Sequence, residues 1–179
     1  MKIAVLLADG FEEVEALTPI DLLRRANLEV DLIGIEKETV TGAHGIRINV
    51  DTVASCADIS IYDSVILPGG MPGTLNLDNA SITDELLNSV ISKGGRIAAI
   101  CAAPLILGKR GLLEGKEAIC YPGFESELLG ARISEKSVVT DGLITTAKGM
   151  GVALEFAKEL VKLFCGEDTK NKLSKAIME

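Results

Sequence analysis

Three short segments of this chain carry residue types capable of chemistry, and each directly follows an apolar run. Cys101 follows Arg-Ile-Ala-Ala-Ile (96–100) and precedes Ala102-Ala103-Pro104. A nucleophile at a sharp strand-to-helix turn is exposed, and the backbone N–H groups after it point back at it. A helix N-terminus there would favour the thiolate. The small residues Ala98, Ala99, Ala102 and Ala103 would let the backbone bend tightly. Position alone also allows an inert thiol at the end of a strand, a common place for an unpaired cysteine.

The second segment, Asp9-Gly10-Phe11-Glu12-Glu13-Val14-Glu15, follows residues 2–8. Its three glutamates crowd one helix start, where negative charge is favoured. That accounts for Glu12 and Glu13, while one of the three could instead face Cys101, and Glu15 is singled out for that place. A carboxyl beside a thiolate stays protonated, because like charges oppose ionisation. It can then donate a hydrogen bond and later shuttle a proton. The third segment, Gly69-Gly70, follows residues 64–68. It is either a simple turn or a place where the Gly70 N–H addresses an oxyanion near Cys101. His44, the one histidine, lies in a Gly-Ala-His-Gly turn far upstream of Cys101. It reads as a solvated turn residue, outside the three-loop site unless a second chain brings it in. No GxGxxG or GxxxxGK[ST] pattern occurs, so nucleotide binding is unsupported.

These segments must be positioned by elements that the hydrophobic pattern outlines. Residues 2–8 form a continuous apolar run suited to a strand buried on both faces, rather than a signal peptide. Residues 13–26 carry Ala16, Ile20 and Leu23 at helical spacing. Thr18-Pro19-Ile20-Asp21 within them resembles a helix start, so either the helix begins there or Pro19 kinks a longer one. Strands are expected at 28–35, 64–68, 96–100 and 117–121, and as a hairpin at 137–140 and 143–147 turning at Asp141-Gly142. Residues 39–50 read as a small β-excursion. Helices are expected at 81–93, 151–165 and 167–178, with a short helix and loop over 103–113. Strands alternating with helices argue a mostly parallel sheet covered on both faces. In such sheets ligands bind beyond the carboxyl ends of the strands, where all three segments fall.

The 179 residues suit one domain spanning 1–179. The net charge of −8 lacks the cationic surface that nucleic acid requires. No apolar run reaches the roughly 18–20 residues needed to cross a bilayer. The four cysteines, Cys56, Cys101, Cys120 and Cys165, are too far apart for a zinc site or a disulfide framework. Reduced thiols in a cytoplasm are expected, with the three other than Cys101 inert in the core, and neither metal nor cofactor.

Five segments together resemble the DJ-one/ThiJ/PfpI superfamily over nearly the whole chain. They are Ala-Asp-Gly-Phe-Glu-Glu-Val-Glu (8–15), Asp-Leu-Leu-Arg-Arg-Ala (21–26), Val-Ile-Leu-Pro-Gly-Gly (65–70), Ala-Ala-Ile-Cys-Ala-Ala-Pro (98–104) and Asp-Gly-Leu-Ile-Thr-Thr (141–146). The resemblance implies a flavodoxin-like three-layer α/β sandwich and a homodimer. It places the reactive, oxidation-prone cysteine at Cys101, the protonated glutamate at Glu15 and the oxyanion-type amides at Gly70, next to Gly69, and at Ala102. One departure is Tyr121, where many members carry a histidine near the cysteine. A phenol is a poor base near neutral pH, which disfavours a cysteine peptidase or amidohydrolase. His44 matches a position that lies near the neighbouring subunit's site in dimeric members.

Two functions are thereby expected. One is a glutathione-independent glyoxalase or deglycase acting on a small reactive aldehyde or glycated adduct. The other is a redox sensor or chaperone of the oxidative-stress response, in which Cys101 is oxidised.

Overall fold

The computed structural model describes every residue from Met1 to Glu179. Eleven strands form in chain order: β1 (Lys2–Leu7), β2 (Glu29–Gly34), β3 (Thr39–Thr41), β4 (Arg47–Asn49), β5 (Thr52–Val53), β6 (Ser64–Leu67), β7 (Arg96–Ile100), β8 (Glu117–Ala118), β9 (Arg132–Ile133), β10 (Val138–Asp141) and β11 (Ile144–Ala147). The helices are α1 (Glu13–Arg25), α2 (Gly73–Asn79), α3 (Ser81–Ser92), α4 (Pro104–Lys109), α5 (Ala153–Cys165) and α6 (Glu167–Ala176).

Seven strands make one sheet in the order β10-β11-β7-β6-β1-β2-β5. All neighbours are parallel except β10, which returns antiparallel to β11. The long parallel strands follow the flavodoxin-like 2-1-3-4-5 order, which puts the switch point between β1 and β6. The register pairs Val5 with Ile66, Leu67 with Ala99 and Ile100 with Ala147. The carboxyl ends of β1, β6, β7 and β11 therefore open on one edge, and the chain segments after them meet there.

Side chains of β1 alternate between two cores. Ile3, Val5 and Leu7 pack with Ala16, Ile20 and Leu23 of α1 and Phe156 and Leu160 of α5. Ala4 and Leu6 pack on the other face with Leu86, Leu87 and Val90 of α3 and Leu105 and Leu107 of α4. Two-sided burial explains why this strand reads as an unbroken apolar run. No helix is long and apolar enough to cross a membrane.

The structure decides between the two readings of residues 13–26 and departs from the sequence-based outline elsewhere. Helix α1 begins at Glu13, with no side-chain cap, and runs through Pro19. The Ala16 N–H already donates to the Glu12 carbonyl at 3.1 Å, so Thr18 lies inside the helix. Pro19 has no N–H, which deprives the Glu15 carbonyl of its α-helical donor. The expected strand over 117–121 shrinks to Glu117–Ala118, paired with β9 outside the main sheet. Cys120 and Tyr121 lie beyond it in irregular chain, where the Tyr121 N–H donates to the Cys101 carbonyl at 2.8 Å. Helix α2 and edge strand β5 carry too short a pattern to stand out. Finally, Cys56 is exposed rather than in the core, because it ends a 3-10 turn, Ala54–Cys56, just after β5. The excursion over 39–50 forms as the β3–β4 hairpin.

Candidate functional site

Cys101 stands at the turn out of β7 with φ +65°, in the left-handed region. That conformation costs an L-residue roughly 1–2 kcal/mol, and such strain persists only where neighbours enforce it. Here both sides are pinned. The Cys101 N–H donates to the Ala147 carbonyl at 2.9 Å, and its own carbonyl accepts from Tyr121. The side chain is half-buried, and the Ala102 and Gly70 N–H groups both bear on the sulfur.

Glu15 is 0% exposed, deep in the first turn of α1. Its Oε2 accepts the Gly69 N–H at 3.0 Å. Its Oε1 is buried with no partner of ordinary hydrogen-bond geometry. The side chain that faces this carboxyl is the Cys101 thiol. A Cβ placed on Gly149 would lie 3.9 Å from both Cys101 Sγ and Glu15 Oε1. The loops after β1, β6, β7 and β11 thus converge on one point.

Burial pushes the Glu15 carboxyl up to about 7, against the pull of Cys101 and of the Gly69 and Met150 backbone. Burial, then the charge and hydrogen bond of Glu15, push the Cys101 thiol up to about 12, against the Ala102 and Gly70 amides. This corrects the expectation of a simply lowered thiol: the sulfur is desolvated, and an ionised Glu15 opposes a second charge beside it. Two acids in such contact titrate as a pair. One proton leaves near 7 and the other is held to about 12, so between those values the pair carries one proton and one negative charge.

Tyr121 is half-exposed, and its ring Cδ2 would lie 3.3 Å from a Gly149 Cβ. It forms one wall of a cleft of about 360 Å³ that also takes in Pro122, Lys148, Gly149 and Met150. Gly149 and Met150 escaped the sequence analysis. Their signal was that Lys148-Gly149-Met150-Gly151 follows a predicted strand whose end falls on the same sheet edge.

His44 sits at the β3–β4 hairpin and is exposed. Its Nδ1 lies 3.0 Å from Glu13 Oε2 and 3.5 Å from Glu12 Oε2. It is not among the groups that bear on Cys101 within this chain. Glu13, read from the sequence as a helix-start acid, is 4% exposed. Its Oε1 accepts the His44 N–H at 2.8 Å and the Ile46 N–H at 3.3 Å, which ties the hairpin to α1. Donor atoms of Glu12, Glu13 and His44 lie within 4.8 Å of one another, but the hairpin contacts already occupy both Glu13 oxygens.

Known proteins share this arrangement of chain. The DJ-1/PfpI family model matches residues 1–163. Protein dj-1beta of Drosophila melanogaster is 36% identical over 177 residues, covering 97% of this chain and 95% of that protein. A Pyrococcus abyssi protein named a deglycase is 31% identical over 166 residues, 91% of this chain and 99% of its own length. The solved structure of Toxoplasma gondii DJ-1, described as oxidized, superimposes with a TM-score of 0.94 at 32% identity, covering 99% of this chain and 97% of that one. Fold and sequence agree over nearly the full length, and the chain belongs to the DJ-1/PfpI family.

Proposed function

We propose that the chain is a cysteine-dependent enzyme acting on reactive carbonyl compounds, with Cys101 as nucleophile and Glu15 as proton carrier. The observation that carries this is the convergence of Cys101 Sγ and Glu15 Oε1 on one point beside an open cleft. The name of the Pyrococcus abyssi relative supports the same class of chemistry.

With methylglyoxal, the sulfur adds to the aldehyde carbon and the aldehyde oxygen takes a proton, giving a hemithioacetal. The N–H groups of Gly70 and Ala102 stabilise the oxyanion that forms during addition. Glu15, once ionised, removes the proton from that carbon and returns it to the neighbouring carbonyl carbon. The ketone becomes a secondary alcohol, and the hemithioacetal becomes a thioester. Water then cleaves the thioester, releasing lactate and restoring the thiol. Methylglyoxal and one water yield lactate, with no outside oxidant or reductant. The test is lactate formation from methylglyoxal by purified protein. Loss of activity in Cys101→Ala is expected, and activity that survives this change removes the proposal.

The oxidized state of the Toxoplasma relative favours a second function, peroxide sensing. Cys101 sulfur would take oxygen from peroxide in two steps, each releasing water, and the sulfinic acid would be held by Glu15 and the two amides. Peptide mass spectrometry after mild peroxide treatment tests it. Cys101 must oxidise ahead of the exposed Cys56, and equal oxidation of the two rejects a sensor role.

A further inference from the structure

The cleft beside Cys101 is larger than the smallest substrate needs. At about 30 Å³ per water, its 360 Å³ holds roughly a dozen waters, several times the volume of a three-carbon aldehyde. Most of its wall is apolar ring, methyl and glycine surface from Tyr121, Pro122, Gly149, Met150 and Val152. One charged side chain lines it, Lys148.

Lys148 is placed by the fold. It is the first residue past β11, and its N–H donates to the Ser137 carbonyl at 2.9 Å. The next residue is Gly149, where a Cβ would lie 3.9 Å from both Cys101 Sγ and Glu15 Oε1. Ion pairs engage Lys136 and Lys158, the lysines on either side of it in sequence, but none engages Lys148. The chain as a whole is acidic, with a net charge of −8, and Glu12, Glu13 and Glu15 at the start of α1 are buried or mostly so. Within the cleft, this ammonium is the one charged group that would attract an anionic substrate.

We infer that Lys148 is a specificity-determining residue that favours carbonyl compounds bearing a carboxylate over neutral ones of the same size. The inference rests on the proposal that Cys101 is the reacting group. The carboxylate of the substrate lies toward Lys148, while its aldehyde carbon lies over the sulfur. The apolar walls of Tyr121 and Met150 receive the carbon chain between them.

Two alkylating reagents of nearly equal size isolate the charge effect. Iodoacetate is anionic and iodoacetamide is neutral, and with each the sulfur forms a bond to carbon as iodide leaves. The ratio of their rates at one thiol cancels that thiol's own ionisation. The ratio is measured for Cys101 by peptide mass spectrometry at low salt, with exposed Cys56 as an internal reference. In Lys148→Gln the iodoacetate-to-iodoacetamide ratio at Cys101 is expected to fall about threefold, as suits one partly solvated charge. The ratio at Cys56 stays unchanged, Lys148→Arg retains the wild-type value, and 0.5 M salt shrinks the difference. An unchanged ratio at Cys101 in Lys148→Gln overturns the inference and leaves the proposed function standing. If Cys101 resists both reagents while Cys56 reacts, the proposed function fails and the inference falls with it.

Discussion

The Gly69 N–H holds Glu15 Oε2 at 3.0 Å across the boundary between β6 and α1, which leaves Oε1 free to face the Cys101 sulfur. One oxygen is fixed by backbone and the other is reserved for chemistry. Glu15→Gln keeps the shape and the oxygen for Gly69 but cannot ionise. In the wild type, iodoacetamide reactivity at Cys101 should rise with a midpoint near 7, where the pair loses its first proton. In Glu15→Gln that step should disappear and the midpoint move above pH 8, as for an isolated buried thiol. Superimposable pH profiles would show that the two groups do not share a proton.

The same pair has a stability signature. Burial raises the Glu15 pKa to about 7 in the folded state, from an unfolded value near 4.5. The folded state therefore binds this proton more tightly. Its contribution to stability is full below pH 4.5 and is lost as pH rises to about 7. The shift corresponds to at most about 3 kcal/mol. Urea unfolding at pH 7.5 should find Glu15→Gln more stable than wild type, with the gap closing by pH 4.5. A variant less stable than wild type at pH 7.5 would mean that Glu15 is held for structure rather than against it.

Gly69 is required for its lack of a side chain. A Cβ there would lie 2.6 Å from Cys101 Cβ and 2.6 Å from Glu15 Oε2, closer than any real Cβ contact. Gly69→Ala must push the carboxyl and the thiol apart. A cost of about 1–3 kcal/mol in stability is expected from overpacking, together with loss of the near-neutral step in the Cys101 alkylation profile. Retention of that step with unchanged stability would show that the loop relaxes freely.

Much of this site was legible in the sequence because strand ends are legible. Cys101, Gly70 and Glu15 each follow a buried apolar run, and parallel register brings such ends to one edge. Gly149 and Met150 follow a strand end too, but carry no nucleophile or acid that would draw notice. Glu13 looked like Glu12 because sequence does not say which face of a helix start meets a hairpin 31 residues on. The raised thiol pKa was illegible for a different reason. A helix start and nearby amides argue for a thiolate, whereas the opposing desolvation depends on how closely the loops close over the sulfur.

The strain at Cys101 has its own test. With φ at +65°, an alanine would keep the left-handed cost and a glycine would not. Cys101→Gly should be more stable than Cys101→Ala by about 1 kcal/mol, read from denaturant midpoints. Both lack the thiol, so the comparison isolates the backbone. Equal stability would place the strain elsewhere in the turn.

The Glu13–His44 contact should make the hairpin's attachment pH-dependent on both sides. Burial pushes the Glu13 carboxyl up, but the hydrogen bond with His44 and the surrounding N–H groups outweigh it, so its pKa lies below the ordinary 4.5. Its contribution is present above pH 4.5 and lost as pH falls through the lowered value. The hydrogen bond with Glu13, then the charges of Glu12 and Glu13, push His44 above 6.5. Its contribution is full below pH 6.5 and lost as pH rises through the raised value. Native-state hydrogen exchange at the His44 and Ile46 amides should therefore show greatest protection between about pH 5 and 6.5, once intrinsic exchange is corrected for. Glu13→Gln should weaken protection and cost about 1–3 kcal/mol, because one amide oxygen cannot replace two carboxylate oxygens among these donors. Protection that stays flat across that range would mean that β3–β4 pairing alone holds the hairpin in place.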